Sequence, residues 1–572
     1  MNNPVMAMVF LLFSIFCPFL FRQKLSKILQ ILLVAFSLAI FLPIETFSLP
    51  INLFGMDLQL IKIDKLSRLL VIVFHLVAIV TIIYGWEVSK RLEDSAAAFY
   101  FASAVALTLA GDLLSFFVFW EMLTVGAVVL IFCSKLQSAR LAANRYLIFH
   151  VLGGLVLLAG VCARYYYTKD LSVMPLSLAE WYNLLIFLAI GVNVAFPLFH
   201  TWVVDAYPKA SPSGTIWLSA ITTKTAAYAM IRMFPGEQVL IWIGAVMMTF
   251  PVFYAVIENN LRKVLSYSLI NQVGLIITAV GLGSQLALAG ASSHIVTDIF
   301  FKGLLFMSVG AVLYRTSCQN ATDLGGLYKS MPITCFFCVI GALSISAFPL
   351  FSGFISKSLV VSAAAEQHQF VVWIFLLFAS SAVLEHAGIK VPFFTFFAHD
   401  SGKRPQEAPL SMLIAMAMSA IVCILLGCWP ELLYGQLPFN FDYQPYTAEH
   451  IVTQLELLLF AALAFVLMLL AGLYPAEKRG VNLDADSFYK KVFASLYLTF
   501  SQLTNKINER AEQIVHNSFV QSCAGCVKLF PGNIFSILTK KSRHWHESVI
   551  DGTLPVAISI FFALLIFVIM LW

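Results

Sequence analysis

About sixteen apolar stretches follow one another along this chain of 572 residues, and each is long enough to cross a lipid bilayer. The chain is 60% hydrophobic and 11% charged, and its mean hydropathy is +0.89. Since a soluble domain carries about 25% charged residues, most of this chain is predicted to lie in lipid. The stretches begin near Pro4, Ile28, Leu66, Ala96, Leu113, Tyr146, Trp181, Ile216, Val239, Val264, His294, Met331, Phe370, Leu410, Leu455 and Thr553.

Positive charges recur in alternate loops between these stretches. Cytoplasmic loops of membrane proteins carry an excess of Lys and Arg, so these loops are predicted to be cytoplasmic and both termini external. Lys62, Lys65 and Arg68 run against this pattern. The first apolar stretch follows no basic segment and has no small-residue cleavage site, which predicts a retained helix. The basic loops contain Arg22, Lys24 and Lys27, Lys90 and Arg91, Lys135, Arg140 and Arg145, Arg262 and Lys263, Lys403 and Arg404, and Lys478 and Arg479.

The chain is predicted to consist of six regions. Residues 475–552 are amphipathic and charged and are predicted to lie along a membrane or protein surface. Residues 47–65 alternate around Gly55 and predict a hairpin on the outer face. The regions are N-terminal transmembrane helices (1–95), a first repeat (96–235), a second repeat (236–400), C-terminal transmembrane helices (401–474), the amphipathic surface segment (475–552) and a terminal transmembrane anchor (553–572).

The five residues Ala-Phe-Pro-Leu-Phe occur twice, at 195–199 and at 347–351. Proline removes a backbone hydrogen bond, and a membrane helix tolerates the unwound turn only where it faces protein or water. Two matching breaks predict two repeats, which in transporters are often inverted, with the ion route at the breaks. The predicted fold class is an all-α polytopic membrane protein of about 14–16 transmembrane helices. It has two inverted repeats containing proline-broken helices, a C-terminal amphipathic (lateral) segment and a final anchor helix.

Ionisable residues stand deep in several apolar stretches, where a charge at the bilayer centre costs at least ~2.5–3.5 kcal/mol. Glu121 and Lys224 each lie in the middle of a predicted helix. Three more residues follow at a spacing of four, which places them on one helix face. These three are His294, Asp298 and Lys302, and the remaining charged or titratable residues are Lys357, Glu385, His386 and Lys390.

Each of these residues also has a simpler interpretation. Asp298 and Lys302 could form a structural ion pair, and Glu121 could tie two helices together. Lys357 and Lys390 could instead reach towards an interface. As a set at similar depth on several helices, they favour a proton or ion pathway, because such a row can pass a proton by changing charge in turn.

Five motifs, in this order, resemble the antiporter-like subunits shared by Mrp-type cation/proton antiporters and respiratory complex I. The likeness covers roughly residues 60–400 and identifies the fold. The motifs are FVFWEMLT (117–124), PLFHTWVVDAYPKASPSGTIWLSAITTKTAAYAMIR (197–232), LRKVLSYSLINQVG (261–274), FFKGLLFMSVGAV (300–312) and GALSISAFPLFSGFISK (341–357).

This resemblance implies roles for individual residues. Glu121 would be the buried acid of the first half-channel, and Lys224 the central connecting lysine. Lys302 would be the buried lysine of the second half, and Lys357 the terminal residue on the second broken helix. The family moves protons through such groups, coupled to partner subunits or to a counter-cation. Further pathway candidates are Asn193, His200, His294, Asp298 and Lys390.

The chain departs from the family pattern, chiefly in its first half. The family's lysine on the first broken helix falls on Asn193 or Val192, depending on the alignment, and residues 181–208 contain no Lys or Arg. Asn193 can hydrogen-bond water or coordinate a cation, but it cannot relay a proton by charging. Asp298 stands where the family usually has histidine, and Asn260 where it has aspartate. The first half-channel is therefore incomplete, whereas the second keeps a complete set.

No metal or cofactor is predicted. The pairs Cys335/Cys338 and Cys523/Cys526 lack a second pair or histidines at zinc-site spacing. The chain has no glycine-rich dinucleotide loop opening a helix and no iron–sulfur cysteine pattern, which predicts a transporter subunit without redox chemistry of its own.

Three functions remain open. The first is the proton-translocating subunit of a multisubunit monovalent cation (Na⁺)/proton antiporter, similar to the D-type subunits of Mrp antiporters, favoured by EHAGIKVPFFTFF at 385–397 and NLDADSFYKK at 482–491. The second is a non-redox proton-pumping subunit of a complex I-type NADH:quinone oxidoreductase or a related membrane hydrogenase. The third is a structural or degenerate subunit, motivated by the missing lysine.

The expected surroundings are the same for all three functions. The expected partners are other membrane subunits of a hetero-oligomeric complex, protons, Na⁺ in the antiporter, and the lipid bilayer. The net charge of +5 is small for this length and does not suggest nucleic acid. The expected location is a bacterial inner membrane.

Overall fold

The fold is taken from a computed structural model that describes residues 3–53, 55–134, 136–475, 477–478, 480, 482–485 and 487. Residues 1–482 form one compact unit, and a second unit begins at Leu483. The predicted amphipathic segment lies almost entirely outside the described residues. The predicted anchor at 553–572 and the pair Cys523/Cys526 lie wholly outside them.

The N-terminal part consists of three helices and a hairpin. Asp64 and Ser67 form a capping box that starts α3, with hydrogen bonds of 2.9 Å in both directions. The predicted hairpin is confirmed, and the Gly111 N–H donates to the Gln59 carbonyl at 2.9 Å, which docks the hairpin on the turn after α4. The elements are α1 (Pro4–Leu20), α2 (Gln23–Phe41), β1 (Phe47–Leu53), antiparallel β2 (Met56–Ile63) and α3 (Lys65–Tyr84).

The central part consists of two similar series of helices joined by α9. The first series is α4 (Arg91–Leu109), α5 (Leu113–Phe132), α6 (Gln137–Thr168), α7 (Trp181–Val194) and α8 (Thr201–Ala206), followed by α9 (Pro212–Met233). The second is α10 (Val239–Ile257), α11 (Leu261–Leu282), α12 (Gln285–Thr316), α13 (Pro332–Ile345) and α14 (Ser352–Glu366).

The C-terminal part of the compact unit contains a helix that changes its winding. Helix α15 (Phe370–Val383) continues into two π-helical segments, Leu384–Lys390 and Phe393–Phe397. Such segments are frequent at functional sites. The remaining helices are α16 (Leu410–Cys428), α17 (Glu431–Tyr434) and α18 (Ala448–Leu470).

The two series repeat in detail, which explains the duplicated five-residue motif. Asp112 and Asn260 each cap a helix, and each pairs with a later strand-like residue, Ser172 or Asn320. Asn260 lies 148 residues after Asp112, and Asn320 lies 148 residues after Ser172. Helices α6 and α12 both contain 32 residues. These shared features define two structural repeats, although the predicted domain limits stay a prediction.

Both proline breaks have the same backbone conformation. Ala195 and Leu198 have φ angles of 69° and 73°, and Ala347 and Leu350 have 59° and 74°. Residues other than glycine rarely adopt positive φ, so four such residues in two matching turns show that both helices are interrupted by the same specific turn. The Phe196 N–H donates to the Gly191 carbonyl at 3.0 Å, matching the bond from Phe348 to Leu343 at 3.1 Å.

The predicted fold class is confirmed. Every apolar stretch predicted within residues 3–475 coincides with a helix. Ten helices in the described part are long and apolar enough to cross a membrane, and α1, α7 and α13 are shorter apolar helices. The protein is therefore an integral membrane protein.

Two basic residues of the predicted cytoplasmic loops, Lys27 and Arg262, are buried instead. Lys27 lies within α2 and is 1% exposed. Its Nζ lies 3.5 Å from Asp94 Oδ2 and donates to the Gly85 carbonyl at 2.6 Å and to Ser89 Oγ at 2.7 Å. Lys27 thus joins α2 to the turn between α3 and α4.

Asp64 ties the start of α3 to the end of α9, where Arg232 binds its second oxygen. Burial opposes ionisation of Asp64, but Arg232 and the Ser67 N–H outweigh it and hold the pKa of Asp64 below its usual value. We expect Asp64→Ala to lower the stability of the purified protein by about 1–2 kcal/mol at pH 7, through loss of the cap and the ion pair.

Because the folded-state pKa is lowered, this contribution is complete above the unfolded-state value of about 4 and fades as pH falls through the folded value. Thermal unfolding of the parent and the variant should therefore differ less at acidic pH. The control is Asp57→Ala, because exposed Asp57 accepts only a side-chain bond from Asn52 among the described contacts. An equal shift in both variants would contradict the assignment.

Candidate functional site

Helix α12 forms the buried axis of the candidate site. The most apolar part of α12 is fully buried, and the helix packs against α9, α11, α13, α14 and α16. His294, Asp298 and Lys302 are all 0% exposed and lie on one face of α12. Charged groups in this position require partners from neighbouring helices.

The partner of Asp298 is Lys224 on α9. Lys224 Nζ lies 2.6 Å from Asp298 Oδ2, and both side chains are 0% exposed. Asp298 Oδ1 accepts no hydrogen bond from the described residues. The simpler interpretation paired Asp298 with Lys302 on its own helix, whereas the structure pairs it across two helices.

Lys302 and Lys357 are buried against neutral oxygen atoms. Lys302 Nζ donates to Ser268 Oγ on α11 at 2.8 Å. Lys357 Nζ on α14 donates to the Ile345 carbonyl at 2.6 Å. That carbonyl ends α13, so the lysine satisfies a backbone group that the second break leaves free. Lys302 is 0% and Lys357 2% exposed, so neither reaches an interface.

A cavity of about 520 Å³ lies beside the second break. Lys357 lines this cavity together with other residues of α14 and α15, and residues of α18 form another wall. The titratable residues of that wall are Glu449, His450 and Glu456. Water in this cavity would reach Lys357 from the surface of the protein.

His294 lies between the ion pair and the second broken helix. Its Nδ1 lies 2.9 Å from Ser356 Oγ on α14, and Ser356 Oγ also lies 2.9 Å from Thr297 Oγ1. His294 Nε2 has no hydrogen-bond partner within the described residues. The side chain therefore joins α12 to the helix that carries Lys357.

The first half is arranged differently. Glu121 Oε1 on α5 is buried without a hydrogen-bond partner in the described part of the chain. It lies against α6 at Gly154, where an added Cβ would be only 1.7 Å away. Asn193, in the last turn of α7, is 1% exposed, and its Oδ1 is also unpartnered there. The His200 ring packs on Phe250 at 4.6 Å.

Among the described residues, Lys390 bonds to backbone carbonyls and to one carboxylate. Its Nζ donates to the carbonyls of Val256 at 2.6 Å and Glu258 at 2.8 Å at the end of α10. It also pairs with Glu477 at 2.8 Å. These contacts are those of a residue that caps a helix C-terminus. A pathway role for Lys390 stays a prediction.

Sequence reasoning missed a group of buried aromatic and hydroxyl side chains between the halves. Tyr100 OH lies 2.5 Å and Tyr146 OH 3.3 Å from Thr222 Oγ1, two residues before Lys224. His150 stacks on the Tyr146 ring with the ring centroids 3.7 Å apart. The signal was the spacing of four between Tyr146 and His150, where α6 becomes apolar, because this spacing places both side chains on one helix face.

The described residues hold no group of three or more His, Cys, Asp or Glu side chains placed to bind a metal ion. The arrangement is instead a series of separate titratable side chains and hydroxyls on adjacent helices. Such a series can pass protons one group at a time.

Comparison with known families agrees with this geometry. Residues 110–383 match the family described as NADH:quinone oxidoreductase/Mrp antiporter, transmembrane. This region contains both broken helices and, apart from Lys390, every predicted site residue.

Individual proteins give the same picture. Hydrogenase-4 component B of Escherichia coli is 27% identical over 65% of this chain, and the match spans 62% of that protein. The D-type component of the Na⁺/H⁺ antiporter of Bacillus subtilis is 24% identical over 64% of this chain and 80% of its own length. In the solved Mrp complex from Dietzia sp., one chain superposes with a TM-score of 0.70 at 20% identity, covering 81% of this chain and 98% of that one.

The buried ion pair predicts a specific stability pattern. Asp298→Asn leaves Lys224 without its counter-charge and should destabilise the purified protein by about 3–5 kcal/mol. The double variant Lys224→Met/Asp298→Leu removes both charges and should unfold close to the parent temperature.

Thermal unfolding of the purified protein measures both effects. The exposed pair Lys329–Asp400, with its atoms 3.1 Å apart, is the control, and Asp400→Asn should leave the unfolding temperature unchanged. If the double variant were as unstable as Asp298→Asn, the two charges would not compensate each other.

Proposed function

Because residues 110–383 belong to the NADH:quinone oxidoreductase/Mrp antiporter transmembrane family, we propose that this chain translocates protons in a multisubunit Na⁺/proton antiporter. It would take the place of the D-type component of such an antiporter. The observation that carries the proposal is the buried series on α9, α12 and α14: the Lys224–Asp298 pair, Lys302 and Lys357.

The series has the spacing that stepwise proton transfer needs. Asp298 and Lys302 stand one turn apart on α12, a rise of roughly 6 Å. A proton that reaches Asp298 neutralises it and weakens its hold on Lys224, which can then lose a proton in turn. Lys302 takes the next step towards the second break.

Lys357 is suited to the last step. The Ile345 carbonyl accepts a hydrogen bond from the Lys357 amine and holds that amine beside the second break. The adjoining cavity offers a route for water to that amine. The break therefore has a chemical purpose in this proposal: it supplies the carbonyl and the space beside it.

The proposed partners are other membrane subunits. Helix α18 buries only Leu458 and Phe465 among its 23 residues, so most of its apolar surface faces lipid or another chain. The relative in Dietzia sp. is part of an Mrp complex. Protons and Na⁺ as the transported ions, and the bacterial inner membrane as the location, belong to the same proposal.

The alternative is a non-redox pumping subunit of a complex I-type enzyme or a membrane hydrogenase. The family description and the likeness to hydrogenase-4 component B favour it. Purification of the native complex separates the two, since flavin and iron–sulfur subunits would accompany the chain only in the alternative. Neighbouring genes for small membrane proteins would favour the antiporter.

Lys302→Ala should abolish Na⁺-dependent proton flux in membrane vesicles that contain the whole complex. Proton-transfer groups contribute about 10²–10⁴-fold to such rates, so at least a tenfold loss is expected. The control is Lys329→Ala, an exposed lysine that pairs with Asp400 in a loop. Equal flux from the Lys302→Ala and parent vesicles would refute the proposal.

Two variants test whether the first half works. Glu121→Gln removes its acid, and Gly154→Ala places a methyl group where the Glu121 carboxylate lies. Both should lower proton flux about tenfold or more. Gly153→Ala is the matched control, because its new Cβ would meet Val192 at an ordinary 3.5 Å. Parent-like flux from Glu121→Gln would favour a degenerate first half.

A further inference from the structure

We propose that His150 is a proton-transfer residue of the first half and supplies a titratable side chain beside the first break, whose own segment carries no lysine. The inference rests on the proposed proton translocation. Residues 181–208 contain no Lys or Arg, so the break itself offers no such cation. His150 lies outside that segment, on α6.

His150 occupies the position in the first repeat that a residue of the ion pair occupies in the second. The matching caps and bridges of the two series lie 148 residues apart, and so do the residues that end α6 and α12, Lys169 and Ser317. Applied to α6, the same separation relates His150 to Asp298. Both repeats therefore bury a titratable side chain at the same point of their longest helix.

Hydrogen bonding leaves one nitrogen of His150 ready to accept a proton. His150 is 0% exposed, and its Nδ1 lies 2.9 Å from the Tyr146 carbonyl oxygen. A carbonyl only accepts, so Nδ1 carries the hydrogen and Nε2 holds the free lone pair. Nε2 is buried and has no hydrogen-bond partner within the described residues. A buried acceptor left open is costly and calls for a purpose.

On one side of His150 lies Glu121. The Glu121 carboxylate rests on α6 at Gly154, one helical turn from His150, a rise of roughly 6 Å. The proposed transfer passes through water between the carboxyl group and the imidazole. A proton leaving the Glu121 carboxyl would then bind Nε2, giving a carboxylate and an imidazolium.

On the other side lies the path to Lys224. The imidazole stacks on Tyr146, whose hydroxyl contacts Thr222 Oγ1, two residues before Lys224 on α9. The Trp202 ring meets the imidazole edge at 4.6 Å, and its indole N–H donates to the Val192 carbonyl beside the first break. His150 thus stands between the acid, the break and the central ion pair.

The test compares His150→Gln with His150→Asp in vesicles containing the whole complex. Glutamine retains the bulk and can still donate to the Tyr146 carbonyl, but it cannot carry a proton. Aspartate is smaller and ionisable, like Asp298. We expect His150→Gln to lower Na⁺-dependent proton flux about tenfold or more and His150→Asp to retain clearly more flux. The reverse order, with glutamine the better substitute, would assign His150 a structural role only.

His75→Gln is the matched control. His75 is also 0% exposed, but both of its ring nitrogens have partners, Ser37 Oγ and the Val71 carbonyl. This variant should assemble and transport like the parent. Assembly of every variant is followed by native gel electrophoresis.

Tyr146→Phe keeps the inference testable if the His150 variants do not assemble. It removes only the hydroxyl that faces Thr222 and should lower flux several-fold, whereas parent-like flux would overturn the route through Thr222. Lys302→Ala in the same assay separates a failure of the proposed function from a failure of the role proposed for His150. If the parent shows no more flux than Lys302→Ala, the proposed function is wrong; if only Lys302→Ala loses flux, His150 alone is wrongly assigned.

Discussion

The ion pair between Lys224 and Asp298 is the interaction on which the centre of this protein depends. Neither charge could remain alone among fully buried helices, because an uncompensated charge there is severely destabilising. Together, with atoms 2.6 Å apart, they join α9 to α12 and therefore connect the two repeats. Lys302 and Lys357 are held differently, by a hydroxyl and a carbonyl, whereas Lys224 and Asp298 compensate each other's charge.

The two breaks have the same backbone conformation but different side chains around them. Both turns place alanine and leucine at positive φ. Near the first, the Trp202 indole donates to the Val192 carbonyl, whereas near the second the Lys357 amine donates to the Ile345 carbonyl. The two repeats thus share the same unwound turn, but different side chains donate hydrogen bonds to the carbonyl groups that each break leaves free. The second half holds lysines, and the first holds an acid, aromatic rings and a histidine.

Much of this arrangement was predictable because membrane helices obey simple rules. The apolar stretches, the hairpin around Gly55 and the two interrupted helices followed from hydropathy, alternation and proline chemistry. The pairing of Asp298 was not predictable, since helical spacing shows which residues share a face but not which helix lies opposite. The capping contacts of Lys390 and the π-helical winding at Leu384–Lys390 also depend on neighbours distant in sequence.

The sequence by itself determined that the chain is a membrane protein of two repeats with broken helices, because the cost of exposing backbone or charge to lipid leaves few alternatives. Only the tertiary structure decided which buried groups meet. It placed Lys224 against Asp298, enclosed the Glu121 carboxylate at Gly154 and set His150 beside the first break. Those contacts join residues that lie far apart in the sequence, and helix packing alone brings such residues together.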